Sequence, residues 1–127
     1  MTMLLTRTVL TVDTPNKNGR VYSSAAIEEA LAKAKDGHGS LTPNDPEDMN
    51  YWSHAYQNLR LEGNELKADI TVMDTPYGTI LQQLMADGVG VAFRPRGIGQ
   101  IRKNGDVTEI YDYIITSIDA MPEDQAA

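Results

Sequence analysis

The sequence predicts an α+β fold built mainly on antiparallel strands, and three observations carry that expectation. Leu66, Ala68, Ile70 and Val72 alternate with other residues at the period of a strand with one buried face. Two short segments, Gly63-Asn64 and Asn104-Gly105, have the composition of hairpin turns, the second that of a two-residue type I′ turn. Two stretches, one after Ser24 and one after Thr75-Pro76, place apolar residues at helical spacing behind a capping side chain. About seven strands and two helices follow, in an open sheet or a closed barrel.

Taken in order, residues 3–12 alternate loosely and are rich in Thr, Val and Leu, as a strand is. Thr14-Pro15-Asn16-Lys17-Asn18-Gly19 is a dense turn signal. The first helix runs from an Ser24 cap through Ile27, Ala30, Leu31 and Ala34 to a stop at Gly37. Its acids, Glu28 and Glu29, come early and its cations, Lys33 and Lys35, late, which suits the helix dipole. Residues 38–50 read as a long loop punctuated by Pro43 and Pro46. A strand over 51–61 leads through the first hairpin turn into the strand at 66–72.

The second helix carries Tyr77, Ile80, Leu81, Leu84 and Met85 on its apolar stripe, and Gly88 closes it. Short strands at 89–93, 98–102, 107–113 and 114–121 complete the chain. Residues 1–122 form one expected domain, and residues 123–127 a flexible acidic tail.

Composition excludes several classes of function. The 127 residues include no Cys, so disulfides, thiolate zinc sites and a cysteine nucleophile are ruled out. A net charge of −7 argues against nucleic acid or an anionic membrane as the main partner. No apolar run approaches the length of a membrane span, and the first ten residues lack the build of a signal peptide, which suits a soluble intracellular product. No cofactor is implied, because no phosphate-cradling glycine loop is present. No metal is implied either: the acidic loop Asp45-Pro46-Glu47-Asp48 lacks the spacing of a calcium loop.

Four ordered segments carry a resemblance to a known family. They are Asn16-Lys17-Asn18-Gly19-Arg20-Val21-Tyr22, the run from Ser53-His54 to Glu62-Gly63, Val72-Met73-Asp74-Thr75-Pro76-Tyr77-Gly78, and the stretch ending Arg96-Gly97-Ile98-Gly99. Residues 115–122 add a strand that ends in Asp, an apolar pair and Pro. Together they resemble the prohead core protein proteases of tailed phages, which share a clan with the herpesvirus assemblins. The resemblance spans about residues 12–122. It implies an assemblin-like fold and a serine endopeptidase ancestry.

The resemblance also implies where a catalytic pair should stand. Arg94 and Pro95, just before Arg96-Gly97, occupy the positions that match the family's serine segment. Pro43 occupies the position that matches its histidine. A serine protease needs a hydroxyl, an adjacent base and donors for the oxyanion, and these residues supply neither of the first two. The expected reading is therefore a degenerate member with no catalytic residues. If the chain were active, the weak candidates would be Ser53 or Ser40 with His54. Tyr51, Trp52, Tyr56, Arg94, Arg96 and Arg102 are candidates for an interface, as aromatic anchors and a local basic stretch.

Three functions compete on these grounds. The favoured one is a non-catalytic virion structural protein that binds capsid protein or other head proteins, as a decoration, cement or assembly factor. Self-association on a symmetric lattice is an option within it. The second is an active maturation protease with displaced catalytic residues. The third is an inhibitor that binds a host defence protein.

Overall fold

The structure, a computed structural model, describes residues 3–126. In chain order the elements are β1 (Met3–Thr11), β2 (Arg20–Tyr22), α1 (Ser24–Lys33), β3 (Gly37–Ser40), β4 (Trp52–Glu62), β5 (Glu65–Val72), α2 (Pro76–Ala86), β6 (Val91–Asn104) and β7 (Val107–Pro122). Single 3₁₀ turns occupy Met49–Tyr51 and Glu123–Gln125. The expected α+β class, with seven strands and two helices, is what the chain forms. No helix among the described residues is long and apolar enough to cross a membrane.

The strands divide into two sheets. One has the order β1-β5-β4-β3 and is antiparallel throughout; the other has the order β2-β7-β6. In the second sheet β6 and β7 are antiparallel, and the short β2 lies parallel to β7. One isolated bridge, Leu41 to Ala120, links β7 to the chain just beyond β3. No ladder joins β1 to β6 among the described residues, so the barrel considered from sequence stays open.

The core lies between the sheets. β5 contributes Leu66, Ala68, Ile70 and Val72, all fully buried, as their alternation predicts. Phe93, Ile110, Ile118 and Ala120 approach from the second sheet, and Ile27 and Leu81 close the ends from the two helices. Burying side chains of this size contributes about 1.5–3 kcal/mol each. The buried stripe of α2 is narrower than its sequence suggests, because Ile80 remains half exposed.

The strand count matches, but its members differ from the sequence reading. The pairs of short strands expected at 89–93 with 98–102, and at 107–113 with 114–121, are two long strands. Register shifts at Arg96/Gly97 and Ile98/Gln100 absorb the bends that interrupted the apolar pattern. The two missing strands are β2, which lies between the expected turn and the first helix and received no element, and β3, read as a loop. β3 has the sequence Gly-His-Gly-Ser, which carries no strand propensity and is held by tertiary contacts alone. A Cβ at Gly39 would run into Ile118 O and lie 2.6 Å from His54 Nε2, so glycine is what lets β3 pass between them.

Caps and turns shift by single residues. Ser23, rather than Ser24, caps α1, its hydroxyl accepting from Ala26 N at 3.1 Å, and the helix ends at Lys33, before Gly37. Thr75 caps α2 with Pro76 in the first turn, as expected. The second hairpin loop is Gly105-Asp106, since Asn104 pairs with Val107. Only the glycine takes a positive φ there, which rules out type I′. At the C-terminal end, Glu123 N donates to Gly90 O and Ala126 is buried.

Candidate functional site

β7 and β6 hold Ser117 opposite Arg96 in their antiparallel register. Two residues further along β7, Asp119 leaves the same face of the strand as Ser117. β3 passes close by, and its last residue, Ser40, turns its backbone N–H toward the carboxylate. Asp119 Oδ2 accepts from Arg96 Nε at 2.9 Å, and Oδ1 accepts from Ser117 Oγ at 3.1 Å and from Ser40 N at 3.4 Å. Three donors thus surround a carboxylate that is 3% exposed, while the arginine side chain is 52% exposed.

Arg96 also borders an open cleft of about 440 Å³. Pro43, Asp45, Pro46 and Glu47 form one wall, and Thr116 and Ser117 the other. The loop that carries the first wall is tied back through Thr42 N to Ala120 O at 2.8 Å, and Asn44 O accepts from Ser40 Oγ at 2.7 Å. Pro43 and Arg96 are 53 positions apart in sequence and were matched to the family site by separate segments. The fold brings both to this one cleft.

Its chemistry is limited. Ser117 gives its hydroxyl proton to a carboxylate that already accepts from a guanidinium, and such a carboxylate is a poor base for activating a nucleophile. No histidine lines the cleft. What the cleft presents is the outer part of the Arg96 guanidinium, beside two acidic side chains on the facing loop.

The chain does contain a serine–histidine couple, but elsewhere. Ser53 Oγ and His54 Nδ1 are 2.8 Å apart, and His54 Nε2 lies 2.6 Å from Ile118 O. A carbonyl only accepts, so Nε2 carries the proton and Nδ1 accepts from the serine hydroxyl. Both residues are 0% exposed, and Phe93 packs edge-on against the imidazole at 5.1 Å. Burial, opposed by the Ile118 carbonyl and the charge of Asp119 and reinforced by His38, lowers the His54 pKa to about 4. The ring is a neutral pillar between β4 and β7. Ser40, the third candidate hydroxyl, is spent on Asn44 O.

The remaining sequence candidates scatter. Arg94 turns to a different cleft, of about 500 Å³, between β1 and β6, where Lys17 and Glu123 also stand. Burial lowers its pKa and Glu123 opposes that. Pro95 pairs with Ile118 in the β6–β7 register, and Gly97, at a register shift, lies against Tyr113. Tyr56 belongs to the core rather than to an interface. Trp52 stacks on His38 at 4.1 Å and donates through Nε1 to Pro46 O at 2.8 Å, which pins the cleft loop from behind. Tyr51 packs edge-on to Tyr77 at 5.2 Å, and Arg102 lies far out on β6, over Tyr111 and 3.9 Å from Glu109.

Sequence reasoning placed Asp119, the centre of the cluster, only at the end of a resembling strand, and named neither it nor Ser117 as a site residue. The signal was an acid inside the otherwise apolar run Ile118-Asp119-Ala120, facing a strand of arginines.

No family model matches the chain, and no curated protein does. The backbone is similar to that of the bacteriophage T4 capsid assembly protease, gp21. The TM-score is 0.83, with 93% of this chain and 80% of that one covered, at 18% sequence identity. The likeness is one of fold: two sheets and two helices in a prohead-protease-like arrangement, without a closed barrel.

Proposed function

We propose that the chain is a non-catalytic phage head protein, a single domain over residues 1–122 that keeps a capsid-protease scaffold and binds capsid protein or another head protein. The observation that carries the reading is the make-up of the Pro43–Arg96 cleft. It holds two hydroxyls, Ser117 donating to an arginine-paired carboxylate and Thr116 donating to Arg96 O, and no imidazole. Hydrolysis of a peptide bond requires an activated nucleophile and a base in reach of substrate. The resemblance of the sequence and the likeness of the fold to a capsid assembly protease support a place in the phage head. A decoration or cementing role within the virion is the favoured version.

The test pairs composition with activity. Mass spectrometry of purified virions is expected to find the intact chain at high copy number, and its absence would remove the structural role. Incubation of the purified chain with capsid and scaffold proteins is expected to leave both uncut, with no labelling by a serine-directed phosphonate.

A second reading, an active protease with displaced residues, draws on the Ser53–His54 hydrogen bond. It requires both side chains to come out of the core. Trimming that disappears in Ser53→Ala, or in Ser117→Ala, would establish it in place of the first.

A further inference from the structure

β6 is the long free edge of the second sheet. Its only ladder among the described residues is with β7, while β2 covers the opposite edge. Every second backbone N–H and C=O along its outer half therefore faces away from the sheet. The pairing is regular from Gln100 to Asn104, beyond the second register shift.

One property sets this edge apart from one that is merely protected, and a second sets the charge of what would cover it. The first is apolar exposure. Ile98 is 69% and Ile101 58% exposed, and Ile114, directly opposite Ile98, is 46% exposed. Edge strands guarded against chance pairing do not display large β-branched side chains. The second is charge. β6 carries Arg94, Arg96, Arg102 and Lys103 and no acid, in a chain of net charge −7. Arg102 and Lys103 stand on the outer half, and the Arg102 guanidinium is held over Tyr111 at 4.8 Å.

We propose that the outer half of β6, Ile98 to Asn104, is a strand-addition site for an extended acidic segment of a partner protein. Backbone hydrogen bonds to the free edge supply affinity, as in other strand-addition complexes. Side chains alternate along β6, so Ile98 shares a face with Arg102 and Ile101 shares the other with Lys103. Apolar side chains of the segment cover Ile101 on one face, and its carboxylates meet Arg102 on the other. A second copy of this chain is the poorer occupant of the same edge. A second copy brings Arg102 and Lys103 and no acid of its own on β6, so it offers this edge no complementary charge. The inference deepens the binding role proposed above and rests on it only for the source of the segment.

The test uses the full chain and defined probes. A fluorescein-labelled peptide of about eight residues, alternating Val and Glu, is titrated with the protein and followed by anisotropy. Saturable binding is expected, at least about tenfold tighter than to the Val/Lys peptide and weakening between about 50 mM and about 500 mM salt. The Arg102→Glu/Lys103→Glu variant is expected to lose about tenfold in affinity with an unchanged circular dichroism spectrum. Methylating alternate backbone nitrogens of the peptide on its pairing edge is expected to abolish binding, an arm that needs no protein variant. Equal binding of the Val/Lys peptide, indifference to N-methylation, no binding at all, or a dimer in sedimentation that the same double variant alone dissolves would each overturn the proposal. Because the probe is a defined peptide, these outcomes are separate from whether virions contain the protein.

Discussion

Two polar clusters lie on either side of Ile118, and they differ in what surrounds them. Ser53 and His54 form a short hydrogen bond with the right polarity for catalysis, yet both are sealed in the core. Ser117 borders an open cleft, yet it donates to the buried Asp119 carboxylate, whose other side-chain partner is a guanidinium and not an imidazole. One cluster has the chemistry without the access, and the other has the access without the chemistry. A catalytic hydroxyl needs both at the same place. The comparison also shows how a scaffold keeps its polar interior satisfied: no buried side-chain N or O among the described residues lacks a hydrogen-bond partner.

The largest effect expected from breaking this contrast is at the sealed cluster. His54→Ala removes a fully buried ring, leaves a cavity against Phe93 and orphans both the Ser53 hydroxyl and the Ile118 carbonyl. A loss of about 3–5 kcal/mol in urea unfolding is expected.

The same residue sets a pH dependence. His54 is neutral when folded down to a pKa of about 4, whereas the unfolded chain takes up the proton near the ordinary histidine value, about 6.5. The unfolded state alone gains protons in that interval, so stability is unaffected above about pH 6.5 and falls as pH drops toward about 4. The loss reaches about 3 kcal/mol at the low end. Urea midpoints of wild type and His54→Gln, compared across this window, should differ in slope, and a parallel pair of curves would count against the buried neutral ring.

At the open cluster the expected costs are smaller and unequal. Arg96→Ala strips the buried carboxylate of its cationic donor and is expected to cost about 2–3 kcal/mol, less than a fully buried pair would because the arginine is half in water. Asp119→Ala frees an arginine already half solvated but also strips the buried Ser117 hydroxyl and Ser40 N–H of their acceptor, and is expected to cost about 2–4 kcal/mol. The double variant should cost less than the two together, which a double-mutant cycle reads directly. If both single changes were neutral, the cluster would be mere surface decoration.

The smallest effect is at the cap of α1. Ser23→Ala removes the hydrogen bond to Ala26 N and is expected to cost about 1 kcal/mol, whereas Ser24→Ala should be nearly silent. This pair tests the one-residue offset between the sequence reading and the structure.

The fold was legible where local signals and burial agree. The alternation in β5, the Thr75-Pro76 helix start and the Gly63-Asn64 turn each state their own geometry in adjacent residues, whereas the Gly105 turn was located but its loop is one residue on and not type I′. β3 was illegible because its strand state comes from neighbours: two glycines and a histidine form a strand only where β4 pairs with them and the His54 ring demands the missing Cβ. The cleft was half legible. Pro43 and Arg96 could be placed by matching segments, but Asp119 is defined by three donors from distant parts of the chain, and no spacing in the sequence announces them. Tyr56 and Trp52 misled for the complementary reason: an aromatic suited to a contact surface is equally suited to a core or a loop clamp.

The lone bridge between Leu41 and Ala120 has a mechanical corollary. It sits between Ser40, which touches Asp119, and Pro43, which walls the cleft, so the two halves of the molecule are pinned at the very point where the pocket's width is set. With the His54 contact to Ile118 O it gives the two sheets neighbouring ties on β7, so a change that loosened the bridge would be felt at the cleft wall before it reached the core.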